Sequence, residues 1–365
     1  MVSKSVERIK DLEDELSGTK YNKSTQHHVG LVKAKIAKLK EKEEVRKSQQ
    51  KKGDGYTVRR SGDATVILVG FPSVGKSTLL NALTNAESKT AAYAFTTLSV
   101  IPGLLEYKQA KIQILDVPGI VEGAADGTGR GREVLSVIWS SDLVLVLLEM
   151  SDLRHYDVIV KELHNARIRL DQKRPDVKIS KTAKGGISVA STVPLNLSRD
   201  TIRGIMNEFK IMNADILIRT PITDDELIDV IEGNKKYVPS LIVINKIDLA
   251  TEKEIIAAKK RFPDAVFVSA ENKVNLEALK EGIYKNINFM RIYLKEPGKK
   301  PDMDEPLILF TGATLENLCS KLHKDFVVKF KFARLWGKSV KYEGQKKTRL
   351  DHELQEGDVV ELHIG

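Results

Sequence analysis

The fold class this sequence predicts is α/β: a mostly parallel sheet domain carrying a small α+β insertion, with a helical hairpin before it and a second α+β unit after it. Three observations predict it. Short, continuously apolar runs at 64–69, 143–148 and 241–244 have the length and composition of strands buried on both faces. The first of these passes at once into a glycine-rich loop and then a helical pattern. About 90 residues separate the second run from the third, far more than one crossover helix needs. The layout that follows is a hairpin at 1–60, a sheet domain at 61–165 and 236–292, an insertion at 166–235 and a terminal unit at 293–365.

Composition sets the outer bounds. A chain of 365 residues has room for two or three domains at ~150 residues each. With 41% hydrophobic and 30% charged residues it can bury several cores. One cysteine, Cys319, excludes an intrachain disulfide framework and a Cys-rich zinc module. No run approaches the ~20 apolar residues of a membrane span, and MVSKSVERIK lacks the apolar core of a signal peptide. A cytoplasmic protein without a membrane partner is expected, and a monomer is the simplest state. The net charge of +9 is compatible with nucleic-acid partners without requiring them.

That charge is uneven. Residues 1–60 hold 16 basic against 9 acidic residues, leaving +7. Val6, Ile9, Leu12 and Leu16 fall at helical spacing, Gly18 ends the run, and Thr25 is placed to cap a second helix. Val29, Val32, Ile36 and Leu39 form one stripe on that helix, at the three-four spacing of a coiled-coil seam. Lys33, Lys35, Lys38, Lys40 and Lys42 cover much of the rest. Two readings of the lysines stand: a solvated helix face, or contact with the phosphate backbone of RNA.

The centre of the chain carries the chemistry. Gly70-Phe71-Pro72-Ser73-Val74-Gly75-Lys76-Ser77 matches G-x-x-x-x-G-K-[ST] between a strand and a helix that opens at Thr78. Gly70 and Gly75 let the backbone curl so that its N–H groups and the helix N-terminus face phosphate oxygens. Lys76 is expected on the β- and γ-phosphates, and Ser77 offers a hydroxyl to Mg²⁺. A strand at 111–115 ends in Asp116-Val117-Pro118-Gly119, where the carboxylate suits Mg²⁺ and the Gly119 N–H suits the γ-phosphate. The strand at 241–244 ends in Asn245-Lys246-Ile247-Asp248. Asp248 can accept from guanine N1–H and its 2-amino group. Adenine offers neither donor, so ATP would leave a carboxylate unpaired at a cost of ~2 kcal/mol or more. Lys246 can lie along the base plane and Asn245 can tie this loop to the phosphate loop. Ser269-Ala270-Glu271, after a strand at 265–268, offers backbone suited to guanine O6. Between these motifs, Phe95-Thr96-Thr97-Leu98 stands where a γ-phosphate-sensing segment belongs, and spacing does not choose between Thr96 and Thr97.

The insertion and the terminal unit follow. Residues 177–192 alternate like paired strands around Gly185-Gly186. Ser198 caps a helix through Ile202, Ile205 and Phe209, a strand returns at 214–219, and Thr223-Asp-Asp-Glu226 is a capping box. After Pro297 a strand at 307–310 leads to a helix capped by Thr314, with Leu315, Leu318 and Leu322 on one face. Strands are expected at 326–332 and 359–364. Residues 321–349 hold ten Lys/Arg and two acids, and Phe326, Phe330, Phe332 and Trp336 interleave with them. A half-buried strand with a wet lysine face is one reading of that alternation; a stacking platform for bases is the other.

Together these motifs resemble the P-loop GTPases of the translation-factor class. GFPSVGKS, FTTL and the glycine-rich run from Asp116 to Gly129 are similar to the Obg group. The whole architecture resembles its developmentally regulated GTP-binding (DRG) branch. That resemblance covers essentially the full chain. It implies a P-loop GTPase domain, the small insertion, and a C-terminal ubiquitin-like β-grasp (TGS) domain. It implies GTP and GDP as ligands with Mg²⁺ held by Ser77, Thr97 and Asp116, the second threonine of FTTL being the family's metal ligand. Lys76, Thr97 and Gly119 would act on the reacting phosphate. Relatives activated by potassium often carry Asn where this loop has Ser73, so K⁺ is compatible with the reading but not indicated. Ribosomes or RNA are the implied partners, with an accessory protein in eukaryotic members. Ile120 stands where Ras-like enzymes have a water-orienting Gln, so slow intrinsic hydrolysis is expected. Arg130 and Arg132 are either surface residues or charge stabilisers. The alternative to a hydrolysing switch is a nucleotide-dependent RNA- or ribosome-binding module with incidental turnover. No HExxH or paired-Cys pattern marks a second catalytic centre.

Overall fold

The computed structural model describes residues 4–49, 62–84, 101–117 and 137–365. It opens with helices α1 (Lys4–Gly18) and α2 (Gln26–Gln49). The sheet domain begins with β1 (Ala64–Val69), α3 (Lys76–Leu83), β2 (Ile101–Tyr107), β3 (Ala110–Asp116), β4 (Leu143–Glu149), α4 (His155–Asn165) and β5 (Ile168–Leu170). The insertion holds β6 (Val177–Lys181), β7 (Ile187–Ser191), α5 (Arg199–Glu208), β8 (Ala214–Ile218) and α6 (Asp224–Glu232), and β9 (Lys236–Val238) follows it. Next come β10 (Ser240–Asn245), α7 (Glu252–Arg261), β11 (Val266–Phe267) and α8 (Leu276–Ile287). The chain ends with β12 (Phe289–Leu294), β13 (Leu307–Phe310), α9 (Leu315–Leu322), α10 (Lys324–Val328), β14 (Phe330–Trp336), β15 (Gln345–Lys347) and β16 (Val359–Ile364). Two compact units result, one within Met1–Gly55 with Gln172–Tyr237 and one within Tyr56–Asp171 with Val238–Gly365.

The second unit contains a six-stranded sheet in the order β11-β10-β4-β1-β3-β2. All its pairings are parallel except β2 on β3. Alternation divides the apolar strands between two faces. Ile67, Val69, Val144 and Val146 pack with Ile159 and Leu163 of α4 and with Ala258 of α7. Val66, Leu68, Leu143 and Leu145 pack on the other side with Leu79 and Leu80 of α3 and Leu279 and Ile283 of α8. Each fully buried aliphatic side chain contributes ~1.5–3 kcal/mol, so the central strands are held firmly while their carboxyl ends stay open.

The same unit holds a five-stranded sheet in the order β13-β12-β16-β14-β15 over Met290, Ile292, Leu315, Leu318 and Leu335. It starts at Phe289, four residues before the sequence boundary at 293. One strand differs from expectation. Residues 324–328 form a helical turn rather than strand, because the His323 side chain accepts the Asp325 N–H and caps it. The strand runs from Phe330 to Trp336, and a register shift between Phe330 and Phe332 resets its alternation.

In the first unit the strand pairing also departs from expectation. The strands on either side of Gly185-Gly186 do not pair; β8 lies between them, antiparallel to β6 and parallel to β7. The physical reason is burial. Ala214, Ile216 and Ile218 of β8 are 0–2% exposed, whereas β6 and β7 turn lysine and serine side chains outward as edge strands. Both expected caps form: Ser198 accepts from the Thr201 N–H, and Thr223 with Glu226 makes the reciprocal box. Thr25 precedes α2, but its hydroxyl donates back to the Lys20 carbonyl at 2.7 Å.

A second face of α2, carrying Gly30 and Ala34 rather than the predicted stripe, packs on α5 of the insertion. Val29, Val32, Ala34 and Ile36 are buried, with Ala34 in one cluster with Ile202 and Ile205 of α5. Gly204 makes the close crossing possible, since a Cβ there would stand 2.9 Å from the His27 ring. Three of the five lysines are then occupied. Lys33 Nζ lies 3.0 Å from Asp224 and 2.7 Å from Asp225, Lys38 approaches Glu208, and Lys40 pairs with Glu13 at 2.8 Å. Burial draws the Lys33 pKa down, the Asp225 and Asp224 carboxylates outweigh it, and the net direction is upward. Ile205→Ala should cost ~2–5 kcal/mol. Hydrogen exchange should show weakened protection in α2 as well as α5; faster exchange confined to α5 would mean that the hairpin folds without the insertion.

Candidate functional site

Parallel register brings four strand ends to one edge of the larger sheet. Leu68 of β1 pairs with Asp116, Val69 with Val146, and Glu149 at the end of β4 with Asn245 at the end of β10. The loops leaving these ends carry the expected site residues, at the position where open α/β sheets bind ligands.

Gly70 to Gly75 forms the loop between β1 and α3, and Lys76, Ser77 and Thr78 open the helix. Ser73 and Gly75 both adopt positive φ, 65° and 92°. A Cβ on Gly75 would meet Asn245 Nδ2 at 2.4 Å, so this position needs glycine for both conformation and space. Pro72 and Ser73 are exposed at the loop tip and Val74 is buried beneath it. Lys76 Nζ reaches back to the carbonyls of Gly70, at 3.0 Å, and Phe71, at 2.9 Å. Burial lowers the Lys76 pKa, and the nearby Asp116 charge acts against that.

Ser77 and Asp116 meet. The serine hydroxyl donates to Asp116 Oδ2 at 2.6 Å, and Asp116 is only 4% exposed. Its other oxygen, Oδ1, is buried and without a hydrogen-bond partner among the described residues. An orphaned carboxylate oxygen beside a hydroxyl is an all-oxygen donor set that fits a hard divalent cation such as Mg²⁺. Val117 is buried just after it. Phe95, Thr96, Thr97, Leu98, Pro118 and Gly119 lie outside the described residues, as do Ile120, Arg130 and Arg132.

The third group is tied together by one side chain. Asn245 is 2% exposed; its Nδ2 donates to the Val74 carbonyl at 3.0 Å, and its Oδ1 accepts the Ala270 N–H at 3.0 Å. Lys246 adopts φ 63°, and its ammonium meets Glu149 Oε2 at 2.7 Å. Asp248 sits exposed in the turn of Ile247–Leu249. Ser269 is fully buried, sends its N–H to the Val274 carbonyl and accepts the Asn272 N–H on its hydroxyl. Glu271 is exposed beside it. With the Ser269 and Ala270 amides engaged, a donor for a base oxygen at this turn falls to the Glu271 backbone.

Two neighbours escaped the sequence reading. His155 stacks on Phe71 with centroids 3.7 Å apart and planes at 17°. Glu149 holds Lys246, and its pKa is lowered first by that hydrogen bond and then by one from Ser151. A signal for Glu149 existed: like Asn245, it is the first polar residue after a continuously apolar run.

Similarity to known proteins runs along nearly the whole chain. A family model described as "50S ribosome-binding GTPase" matches residues 65–181, one described as the C-terminal region of the MMR_HSR1 domain matches 184–289, and the TGS domain matches 290–364. An uncharacterised GTP-binding protein of Methanocaldococcus jannaschii is 53% identical over 98% of this chain and 92% of its own. Developmentally regulated G-protein 3 of Arabidopsis thaliana is 43% identical over 99% of both chains. The human developmentally regulated GTP-binding protein 2 is 41% identical over 98% of both. Among solved structures, the YchF GTPase of Schizosaccharomyces pombe matches 84% of this chain and 99% of its own at 14% identity, with a TM-score of 0.45.

Asn245→Ala should separate the loops. Losing one bond and leaving a buried Ala270 N–H unpaired costs ~1–3 kcal/mol, so GDP affinity measured by calorimetry should fall roughly 10- to 100-fold. An unchanged Kd would mean that the sheet alone sets the loop positions.

Proposed function

The chain belongs to the family of developmentally regulated GTP-binding proteins, and from that premise we propose that it hydrolyses GTP slowly, as a switch that docks on ribosomes or RNA. The observation that carries the reading is the Asn245 bridge, which binds the glycine-rich loop and the base-reading loop into one surface.

On that surface Lys76 exchanges the Gly70 and Phe71 carbonyls for β- and γ-phosphate oxygens. Asp248 accepts from guanine N1–H and the 2-amino group, the stem of Lys246 lies against the ring, and the Glu271 N–H meets O6. Ser77 and Asp116, with Thr97 of the switch segment, would hold Mg²⁺, which when bound neutralises phosphate charge. Water then attacks the γ-phosphorus in line. A bond forms from the water oxygen to phosphorus as the bond to the β,γ-bridging oxygen breaks, and the water protons pass to the phosphate and its surroundings. The products are GDP and inorganic phosphate.

Ile120 has no polar atom with which to orient that water. Basal turnover is therefore slow, and a docked partner or a bound K⁺ supplies the missing positioning. The same residue supports a second reading, in which the chain is a nucleotide-controlled binding module whose turnover is incidental. Steady-state hydrolysis in Mg²⁺ buffer separates them. Stimulation by purified ribosomes supports the switch, stimulation by K⁺ over Na⁺ assigns the missing charge to a cation, and a flat basal trace in every condition supports the module.

Docking by charge needs free cations. Of the five lysines singled out on α2, three are engaged in ion pairs, whereas Lys331, Arg334 and Lys346 stand exposed on β14 and β15, Lys346 over the Phe332 ring. Arg334 and Lys346 are direct cross-strand neighbours. Changing these three to Glu should weaken cosedimentation with ribosomes between 50 and 200 mM salt and lower the log–log salt slope by about one for each phosphate that is no longer neutralised. Equal slopes for parent and variant would remove this face from the docking surface.

A further inference from the structure

We propose that Glu149 is a positioning residue for guanine binding, which fixes the ammonium of Lys246 so that its stem lies flat beside the base. The inference rests on the nucleotide reading above and adds a residue to it.

Lys246 starts from an uncommon backbone state. Its φ of 63° lies in the left-handed region, which costs a non-glycine residue ~1 kcal/mol or more. The surroundings over-determine that state. Asn245 is locked to Val74 and Ala270, its carbonyl accepts the Met150 N–H at 3.1 Å, and Ile247 N–H reaches the Val268 carbonyl at 3.3 Å. Backbone restraint fixes where the lysine side chain leaves the loop but not where its four-carbon stem ends.

Glu149 supplies that end point. It is the cross-strand partner of Asn245, so the sheet register sets it one residue from Lys246, and its Oε2 takes the ammonium at 2.7 Å. Ser151, in the turn just after β4, also helps to keep this carboxylate's pKa low. Another acid, Glu254, lines the same small cleft with Met150, Lys246 and Leu249. Its Oε2 is occupied by the Thr251 N–H and hydroxyl, both at 2.8 Å, as the cap of α7. Glu149 is thus the carboxylate the lysine uses. With side-chain exposures of 34% and 24%, the pair adds little to folding stability. Its value lies in removing rotamer freedom that nucleotide binding would otherwise have to freeze.

The test is stopped-flow release of fluorescent mant-GDP from the full chain in the parent, E149Q, K246M, the double variant and E149D. Methionine keeps an apolar stem without the charge. Release should be about fivefold faster in E149Q, near parental in E149D, and no faster in the double variant than in K246M alone. The preference for GDP over IDP should stay parental in E149Q and fall in D248N, which separates positioning from base reading. The assignment is overturned if E149Q releases GDP at the parental rate, or if it accelerates release equally in the K246M background. A parent that binds no mant-GDP would overturn the nucleotide reading itself, a different failure from the first two.

Discussion

A single buried amide governs the geometry of this site. Strands β1 and β10 are not neighbours, because β4 runs between them, so the glycine-rich loop after β1 and the Asn245–Asp248 loop after β10 begin roughly 10 Å apart at two strand spacings. Asn245 spans the end of β4 and bonds to both Val74 and Ala270. Its carbonyl takes Met150 at the exit of β4, so all three loops converge on one residue. Gly75 lacks a side chain for the same reason, since the amide occupies the space a Cβ would need. Buried and fully partnered, such a group strengthens in a low dielectric and tolerates no partial replacement.

A similar economy governs the helical hairpin. Besides the buried stripe of Val29, Val32 and Ile36, α2 has a second face with Gly30 and Ala34, and this one packs on Ile202 and Ile205 of the insertion. Lys33 and Lys38 then meet carboxylates of the insertion, and Lys40 meets Glu13 of α1. Partly exposed pairs such as Lys38–Glu208 and Lys40–Glu13 add little net energy, so burial supplies the main attraction. The surplus of +7 in residues 1–60 is consequently not a free +7. Chain segments far apart in sequence share one core here, and that has a consequence for any truncation. Removing the hairpin exposes the apolar face of α5 as well as deleting charge.

Legibility in the sequence followed the range of the interactions. Local chemistry was readable: the glycine-rich loop, the Ser198 and Thr223 caps, and the strand ends at Asp116 and Asn245 all depend on residues a few positions apart. Non-local choices were not. Nothing near Gly185 says that β8 will enter between β6 and β7, because that depends on which of three strands offers the most apolar pair of faces. Alternation in 326–332 looked like strand throughout, yet the His323 cap gives its first half to a helical turn. The Lys246–Glu149 pair spans 97 residues and is created by sheet register, so no motif contains it.

In the proposed reaction, binding and turnover rest on different residues. Lys76 is held in place by its own loop's carbonyls, and Asp116 keeps a buried oxygen aimed beside the Ser77 hydroxyl. Groups so fixed engage a phosphate in the ground state and in the transition state almost alike, which favours occupancy more than rate. Rate enhancement requires a group that acts on the attacking water, and the residue that follows Gly119 in the sequence, Ile120, is aliphatic. A site that holds its ligand firmly but leaves the nucleophile unattended can be accelerated from outside by one correctly placed polar group.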